Sequence, residues 1–442
     1  MGKKIIVAGC GHGGIAAAAI LAKNGYDVTV YEKGSQGTLG YDWTDIFDPN
    51  ALAAAGIPMP EESKFEYKED MTFYTPNSKK SLKQRVPMDK REIKMERKDI
   101  YTHFINHAVE CGVKIVYDCQ VNSPIMLGGR VVGISTDQGD FYGDLIIDAC
   151  GMNSPVRRNL PSSLMIEKDV ARSEKISIFR AFYNKASDEE VSDKFKVMLL
   201  PQNILGIGWV AAEDDYTDVL IGRFEDFDMQ EVERFTDVLR QSNSRLGTEI
   251  VRGGQFVEIP VRHQLSVMVA DGYAAIGDSA FMTVPLIGSG IANSLKAARI
   301  LADTVIADTA CSYGADTLWN YQVTYYKELG STLAPLECVK FLLFKVKPEE
   351  LDYCFDSEMI TEENITMSAD FTGIGGLLGD IDMNDLLNKA KALCNNKELL
   401  KKLGGVVAGM AKVAGACAHM PIKWDKQKVA KWSQLYTKAF KQ

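Results

Sequence analysis

The chain has 442 residues, of which 46% are hydrophobic and 25% charged, a composition typical of a folded globular protein with room for two or three cores. Its net charge of −9 argues against nucleic-acid binding, which requires an excess of basic residues. Nine cysteines without a Cys-x-x-Cys pair disfavour a disulfide framework and a cysteine-rich zinc site. We find neither a secretion signal nor an apolar run of the ~18 residues that a membrane span needs. We therefore expect a cytoplasmic protein with reduced thiols and no metal.

The chain opens with a pattern typical of a β-α-β unit. Residues 3–8 and 27–32 are short β-type runs, and an alanine-rich helix from Ile15 to Lys23 lies between them. Such a unit begins a parallel, doubly wound sheet. The sequence therefore predicts an α/β protein with a Rossmann-like domain at its start.

The remaining elements predict that the chain leaves this domain twice and returns twice. Irregular, charged segments before the helix at Asp99 and the strand-rich stretch around residues 160–260 form the insertions. Returning strands are expected at Leu145–Ala149 and Tyr273–Asp278, and the chain beyond Ala310 has a helical pattern. We predict an FAD-binding domain of residues 1–57, 97–158 and 257–309, a mixed-sheet substrate domain of residues 58–96 and 159–256, and a helical C-terminal region of residues 310–442.

The first motif is the G-x-G-x-x-G loop that starts at Gly9 and lies directly between strand and helix. Its first glycine permits the tight turn, Gly11 lets the backbone approach a pyrophosphate, and Gly14 allows close helix–strand packing. Glu32, at the end of the next strand, would accept hydrogen bonds from an adenosine ribose and repel a 2′-phosphate. The loop therefore indicates FAD or NAD rather than NADP. We include the neighbouring Gly13 and Lys33 in this predicted site.

A second segment decides for FAD. The sequence from Gly272 through the Gly277-Asp278 pair to the Pro-x-x-Gly-x-Gly stretch at Pro285 resembles the flavoproteins that include para-hydroxybenzoate hydroxylase and the geranylgeranyl reductases. The resemblance implies that Asp278, beside Gly277, binds the ribityl chain. It further implies that a helix N-terminus approaches the flavin's pyrimidine edge and stabilises its reduced, negative form, at Gly288, Gly290 and Ile291.

A third segment matches the same family. Residues 144–151 resemble its strand ending in Asp-Gly before S-x-V-R, although Ala149-Cys150-Gly151 replaces the usual Ala-Asp-Gly. Arg97 matches the arginine that contacts the flavin in this family. We also include Gly151 and Val121 among the cofactor-binding residues. The resemblance covers about residues 1–310 and implies noncovalent FAD, since no residue that would link the flavin is evident.

Within the family, the geranylgeranyl reductase branch is the nearest match. The run from Ile259 to Arg262 resembles its I-P-x-R, and Trp209 stands where the branch has a tryptophan-containing substrate motif. That motif continues with Phe-Pro, whereas this chain has two alanines. We therefore carry over Trp209, Pro285 and Arg262 as substrate-site residues without carrying over the identity of the substrate.

Two further patterns are assigned to structure. His103, His107 and Cys111 recur every four residues and would share one helix face, but we interpret that helix as a crossover of the flavin domain rather than a metal site. Gly373-Ile374-Gly375-Gly376 has no preceding strand, so we interpret it as a turn between helices. The sequence then offers no second dinucleotide domain for NAD(P)H, and the external electron donor is left open.

Two segments could bring the protein to a lipid or an anion. Residues 79–98 contain nine basic residues against three acids, which is typical either of a solvated hairpin or of an anion site. Residues 336–345 combine large apolar residues with lysines, as in a helix lying on a membrane or in a core helix with solvated lysines. Peripheral membrane contact is one of the outcomes these patterns predict.

The function that the resemblance implies is reduction of a carbon–carbon double bond in an apolar, isoprenoid or lipid-like substrate by flavin hydride transfer. One alternative is a flavin monooxygenase that hydroxylates an aromatic substrate. Another is a flavin electron carrier whose partner is a protein. The sequence identifies no proton donor.

Overall fold

The computed structural model describes residues 3–367 and 395–441. Its strands are β1 (Lys4–Ala8), β2 (Asp27–Tyr31), β3 (Thr44–Phe47), β4 (Phe65–Tyr67), β5 (Thr72–Tyr74), β6 (Leu82–Lys83), β7 (Ile93–Glu96), β8 (Lys114–Val116), β9 (Val121–Leu127), β10 (Arg130–Thr136), β11 (Gly139–Tyr142), β12 (Leu145–Asp148), β13 (Lys175–Lys185), β14 (Phe195–Leu199), β15 (Gly206–Ala212), β16 (Tyr216–Arg223), β17 (Leu246–Pro260), β18 (Val269–Ala270) and β19 (Tyr273–Ala275).

Its α-helices are α1 (His12–Lys23), α2 (Asn50–Ala54), α3 (Arg97–Glu110), α4 (Pro155–Arg158), α5 (Met229–Arg240), α6 (Ile291–Ala307), α7 (Ala315–Tyr325), α8 (Ser331–Leu333), α9 (Leu336–Leu343), α10 (Pro348–Asp356), α11 (Glu362–Met367), α12 (Lys397–Ala418) and α13 (Lys426–Ala439). A π-helical turn at Tyr326–Gly330 joins α7 to α8.

A six-stranded sheet of order β18-β19-β12-β1-β2-β8 carries the dinucleotide fold. Its strands pair in parallel except at the β18–β19 edge. The strands read as continuous apolar runs because helices cover both faces of such a sheet. Helices α3 and α6 pack beside α1 and complete the domain that begins with β1, the glycine loop and α1. The predicted Rossmann-like fold is confirmed.

A seven-stranded sheet of order β17-β13-β16-β15-β14-β5-β6 forms the second layer. Only β14 and β5 pair in parallel, so the sheet is mixed, as the sequence predicts. Helix α5 covers one face; Asp228 caps it by accepting the Glu231 N–H, and Val232, Phe235 and Leu239 pack on the sheet. The opposite face is turned towards β3 and the segment that ends at Val261.

Two small antiparallel sheets complete the strands, β3-β7-β4 and β11-β10-β9. The helices of the C-terminal region pack on the Rossmann-like core through aromatic side chains. The Tyr321 hydroxyl donates to the Ala275 carbonyl (3.0 Å), and the Trp319 indole donates to the Pro421 carbonyl (2.7 Å). Within the described ranges, no helix combines the length and the apolarity needed to cross a bilayer.

Candidate dinucleotide and substrate site

The glycine loop packs against the end of β12 so closely that side chains are excluded. A Cβ atom on Gly9 or Gly11 would lie 2.7 or 2.8 Å from the Ala149 carbonyl oxygen, and one on Gly14 would lie 2.4 Å from the Ala149 Cβ. Gly9 also has a φ of +84°, which L side chains rarely adopt. A Cβ on Gly13 would approach Ile276 at 2.9 Å. The loop glycines therefore place no side chain of their own over the N-terminus of α1, as the close approach of a phosphate requires.

Glu32 braces this loop from β2. Its two carboxylate oxygens accept the Cys10 N–H and the Gly34 N–H, each at 2.8 Å. Each oxygen keeps a second lone pair, so the carboxylate can still accept ribose hydroxyls. Burial and Glu32 raise the pKa of Cys10 to about 12, so this cysteine stays a thiol. Lys33 is exposed beside the site.

His12, interpreted from the sequence as a loop-filler, has an unsatisfied nitrogen. It is the first residue of α1 and packs on Tyr101, with ring centroids 4.6 Å apart. Its Nε2 is buried without a partner among the described atoms. Burial, with the Arg97 charge, lowers the pKa of His12 to about 3. The ring is therefore neutral at the end of α1 where the loop glycines lie.

Arg97 and Asp278 face the same interior space from α3 and from the turn after β19. Arg97 donates to Asp45 (2.8 Å), and its Nε has no partner among the described atoms. Burial lowers the pKa of Arg97, but Asp45 and Asp278 raise it further, so it stays charged. Burial raises the pKa of Asp278, and Arg97 opposes that shift. A Cβ on Gly290 would lie 3.5 Å from an Asp278 oxygen.

Asp148 links the second and third sequence signatures, a role that the motifs did not reveal. It is fully buried and accepts from Ser154 (2.6 Å), Tyr273 (2.8 Å) and Ser279 (3.0 Å). Gly151, with a φ of +83°, donates its N–H to the Ser279 hydroxyl (2.9 Å). The only signal in the sequence was an acid within a strand that is otherwise apolar.

The loop from Pro285 to Gly290 lies between the N-terminus of α6 and strand β17. Gly288 has a φ of +70°, and a Cβ there would lie 2.9 Å from Ile259. Pro285 is buried, and Ile291 begins α6. The loop thus contacts strand β17 of the seven-stranded sheet. Helix α6 begins directly after it. Gly277, with a φ of +64°, starts the turn before it, whereas Val121 is buried at the start of β9.

The sheet face beside this loop is predominantly apolar. Strand pairing places Ile178, Gly222 and Ile207 in one cross-strand row, and Leu220 and Trp209 side by side in the next. Ile259 and Val261, which touch the Gly288 position, belong to the same hydrophobic cluster. We call these residues the apolar sheet face. The predicted substrate residue Trp209 lies on this face, and the loop that begins at Pro285 contacts it at Gly288.

Arg262, which the sequence predicts as a substrate-site residue, is buried and ion-paired in the structure. It is 2% exposed, pairs with Glu167 and with Glu174 (3.4 Å), and donates its Nε–H to the His263 carbonyl (3.0 Å). The adjoining Glu337 accepts the His263 N–H (2.8 Å). We call these five residues and Lys340 the buried ion cluster. This placement favours a structural role for Arg262.

The histidines of α3 do not converge on a metal. The His103 Nε2 lies 2.8 Å from the Pro58 carbonyl oxygen, whereas the His107 Nε2 lies 3.7 Å from the Cys111 sulfur. Elsewhere in the described ranges, Glu174, His263 and Glu337 bring ligand atoms within 4.8 Å of one another. These carboxylates are already paired with Arg262 and Lys340, so we assign the group to structure. The prediction of a turn at residues 373–376 falls outside the described residues.

Five of the nine cations in the basic segment of residues 79–98 form ion pairs within the protein. Lys80 pairs with Glu358 (2.9 Å) and Arg85 with Glu362, so two of its cations meet the C-terminal region. Arg91, Lys94 and Arg97 pair with acids nearer in sequence. Helix α9 corrects another expectation, since Lys340 is buried rather than solvated and donates to the Val261 carbonyl (2.7 Å). Membrane contact stays a prediction.

A cavity of about 680 Å³ opens beside Glu96 and Asp99, at the start of α3. Its walls include Tyr41, Lys98 and Arg252. The Arg252 guanidinium is held by Glu96 (2.6 Å) and by Asp42 (3.3 Å). The cavity therefore lies where the segment leading into α3 meets the edge of the seven-stranded sheet.

Comparison with known proteins agrees with this architecture. Residues 7–57 match the family of NAD(P)-binding Rossmann-like domains. The chain is 21% identical over 434 residues to a digeranylgeranylglycerophospholipid reductase of Sulfolobus acidocaldarius, with 90% of this chain and 92% of the relative covered. A reductase of the same name from Haloferax volcanii is 26% identical over 361 residues, with 72% and 82% covered.

Solved structures share the fold. A geranylgeranyl bacteriochlorophyll reductase-like protein of Thermoplasma acidophilum is 19% identical, with a TM-score of 0.72 and 91% of this chain and 98% of that chain covered. A probable FAD-dependent monooxygenase of Pseudomonas aeruginosa is 17% identical, with a TM-score of 0.56 and 78% and 99% covered. The chain is thus similar in sequence to digeranylgeranylglycerophospholipid reductases and shares the fold of these solved flavoprotein-like structures.

Proposed function

We propose that the protein binds FAD noncovalently and reduces a carbon–carbon double bond in an isoprenoid or lipid-like substrate. The observation that carries the proposal is the apolar sheet face beside the loop from Pro285 to Gly290. A polar substrate would lose its hydration there without finding partners, whereas a hydrocarbon chain gains from leaving water. The names of the reductase relatives support the same class of substrate.

The residues of the dinucleotide site fit FAD. The loop glycines make a cradle that any Cβ would fill. Among the described atoms, the unpartnered Arg97 Nε–H offers a donor, and the unpartnered His12 Nε2 can donate or accept according to the tautomer of the neutral ring. Asp278 offers an acceptor for the ribityl hydroxyls, while the N-terminus of α6 would stabilise negative charge on the reduced ring. When bound, reduced FAD supplies a hydride to one carbon of the double bond.

The chain's own part in the reaction is positioning and exclusion of water. The apolar sheet face would hold the hydrocarbon, and the loop from Pro285 to Gly290 would set its distance from the flavin. Alignment of two reactants in this way supplies much of a rate enhancement. The second carbon needs a proton, and reoxidised flavin needs an external electron donor.

Anaerobic turnover tests the proposal. The chemically reduced holoprotein, mixed without oxygen with an isoprenoid alcohol such as geranylgeraniol, should reoxidise while the product gains two hydrogens per double bond by mass spectrometry. A monooxygenase, which shares the fold, would form product only with oxygen. An electron carrier would be reoxidised by a protein partner and by no small molecule. Either result would replace the proposal.

A further inference from the structure

One buried ion pair interrupts the apolar sheet face. Arg180 and Asp218 are 5% and 3% exposed, and two guanidinium nitrogens donate to the two carboxylate oxygens at 3.0 and 2.6 Å. Arg180 also donates to the Thr44 hydroxyl (2.7 Å) and to its carbonyl oxygen. The pair is therefore charge-balanced and bidentate, so it presents no net charge to its surroundings.

Two tryptophans flank this pair, and neither indole N–H finds an acceptor in the described part of the chain. The Arg180 Cζ atom lies 5.8 Å from the centre of the Trp43 ring and 5.1 Å from that of Trp209. Both Nε1 atoms are buried without an acceptor among the described atoms, and Trp43 as a whole is only 4% exposed. Buried donors without an acceptor are rare because desolvation is then uncompensated.

Two other tryptophans of the chain form the indole hydrogen bond that Trp43 and Trp209 do not form with any described atom. The Trp319 indole donates to the Pro421 carbonyl (2.7 Å), and the Trp432 indole donates to the Ala416 carbonyl (2.8 Å). Those two lie in the C-terminal helical region, away from the substrate sheet. The unpartnered indoles are thus found beside the surface that would hold the substrate.

We propose that Trp43 and Trp209 bind an uncharged oxygen atom, a hydroxyl, ether or carbonyl, of an otherwise apolar substrate. Indole offers a donor and no acceptor, so the matching group must accept. A phosphate would need an unbalanced cation, but Asp218 already balances Arg180. The inference rests on the proposed function and specifies the polar end of its substrate.

The location of the two donors suits an anchor next to the flavin. Trp209 shares a cross-strand row with Leu220, the residue paired with Arg180. The carbonyl of Trp43 accepts the backbone N–H of Arg97 (2.9 Å), and Arg97 is the predicted flavin contact. An oxygen held there would fix the register of the chain that extends over the apolar sheet face.

Binding to the FAD-loaded native protein is the first test. The probes are geranylgeraniol, an acyclic isoprenoid hydrocarbon of equal length, and geranylgeranyl diphosphate, with the dissociation constant taken from the flavin absorbance change. We expect the alcohol to bind about 10-fold more tightly than the hydrocarbon, as one recovered hydrogen bond implies. Equal affinity of these two, or preference for the diphosphate, would overturn the anchor.

The variants Trp209→Phe and Trp43→Phe keep an aromatic ring and remove the N–H. Each should weaken binding of the alcohol several-fold and leave the affinity for the hydrocarbon unchanged. The control Trp424→Phe, in the C-terminal region, should change neither affinity. Flavin content and circular dichroism establish that a variant is folded. If a variant does not fold, the comparison of alcohol, hydrocarbon and diphosphate on the native protein still tests the anchor. Equal losses for both ligands would show that the rings only pack. Failure of the native protein to reduce any isoprenoid would refute the proposed function instead.

Discussion

Gly14 shows how little space the dinucleotide loop leaves for a side chain. Its Cβ would lie 2.4 Å from the Ala149 Cβ and 3.0 Å from a Val7 methyl, so α1 would have to move away from β1. Overpacking of this kind typically costs 1–3 kcal/mol. We predict that Gly14→Ala lowers the melting temperature and weakens FAD binding, measured by thermal unfolding and by flavin titration.

The matched control is Gly404→Ala in α12. Gly404 is also helical, but nothing lies within 4 Å of its Cβ position. Alanine is favoured over glycine inside a helix by about 1 kcal/mol, so this variant should be as stable as the native protein or more so. Equal melting temperatures and equal FAD affinities of the two variants would contradict the conclusion that the loop has no space for a side chain.

Asp278 is the acceptor whose removal should release the flavin most selectively. Its carboxylate lies close to the Gly290 position, and a hydrogen bond to a charged group is worth ~1.5–3 kcal/mol. We predict that Asp278→Ala weakens FAD binding ~10-fold or more while the circular dichroism spectrum is kept. Asp303→Ala, which removes an exposed ion pair within α6, is the control. An unchanged FAD dissociation constant for Asp278→Ala would place the ribityl site elsewhere.

At the scale of elements, the buried ion cluster connects helix α9 to the segment that precedes β18. Burial raises the pKa of Glu167, but Arg262 and His263 lower it further, to about 2. The same balance, with His263 and Lys340 as partners, holds the pKa of Glu337 below its ordinary range. Because both carboxyls are stronger acids in the folded protein, their stabilisation is present above pH ~4.5 and is lost as the pH falls towards 2.

Because the stabilisation by Glu167 is lost at low pH, the effect of Glu167→Gln on stability should depend on pH. At neutral pH the variant should lose stability on the order of 3 kcal/mol, since the native carboxylate titrates far below an unfolded one. Its deficit in melting temperature should shrink as the pH falls from 5 towards 2, because the unfolded carboxyl becomes protonated over that range while the native carboxyl, with a pKa of about 2, stays largely ionised. A deficit that does not vary with pH would mean that Glu167 contributes through packing alone.

Helix α10 holds the β5–β6 hairpin through Asp352. Its carboxylate accepts the N–H groups of Asn77 (2.9 Å) and Ser78 (3.0 Å), and the Asn77 side-chain amide (3.0 Å). We predict that Asp352→Ala increases hydrogen exchange of residues 76–84 by at least ten-fold. Glu349→Ala, on the same helix, should leave that exchange unchanged. Unaltered protection in Asp352→Ala would show that the hairpin is held by its strand pairing.

Local patterns predicted the elements that depend on neighbouring residues. The opening β-α-β unit was predicted because strand, glycine loop and acid follow one another within 32 residues. Strand β17 was not predicted, since Gly253 and Gly254 at positive φ bend it and shift its register against β13, which hides the alternation. Reliance on local patterns also explains why the partners of the site residues were not predicted. Arg262 pairs with Glu167, 95 residues away, and no spacing rule reveals such a partner.

At the scale of the whole molecule, the two-layer architecture places the cofactor signatures on one sheet and the substrate surface on another. The Arg180–Asp218 pair depends on the register between β13 and β16, and its contact with Thr44 depends on how the sheet packs against β3. Sequence motifs therefore indicate a flavin protein, whereas the substrate contacts that we propose depend on how the two layers meet.

The charge of the whole molecule bears on the predicted membrane contact. The net charge is −9, and the cations at Lys80 and Arg85 are paired with acids of the C-terminal region. A basic residue attracts an anionic surface by ~1 kcal/mol only while it is near that surface and unpaired. We predict no preference for anionic over neutral vesicles in sedimentation at low salt. The double variant Glu358→Gln, Glu362→Gln frees both cations and should bind anionic vesicles measurably, with binding lost at moderate salt. Selective sedimentation of the native protein would instead show that the basic segment faces lipid despite its ion pairs.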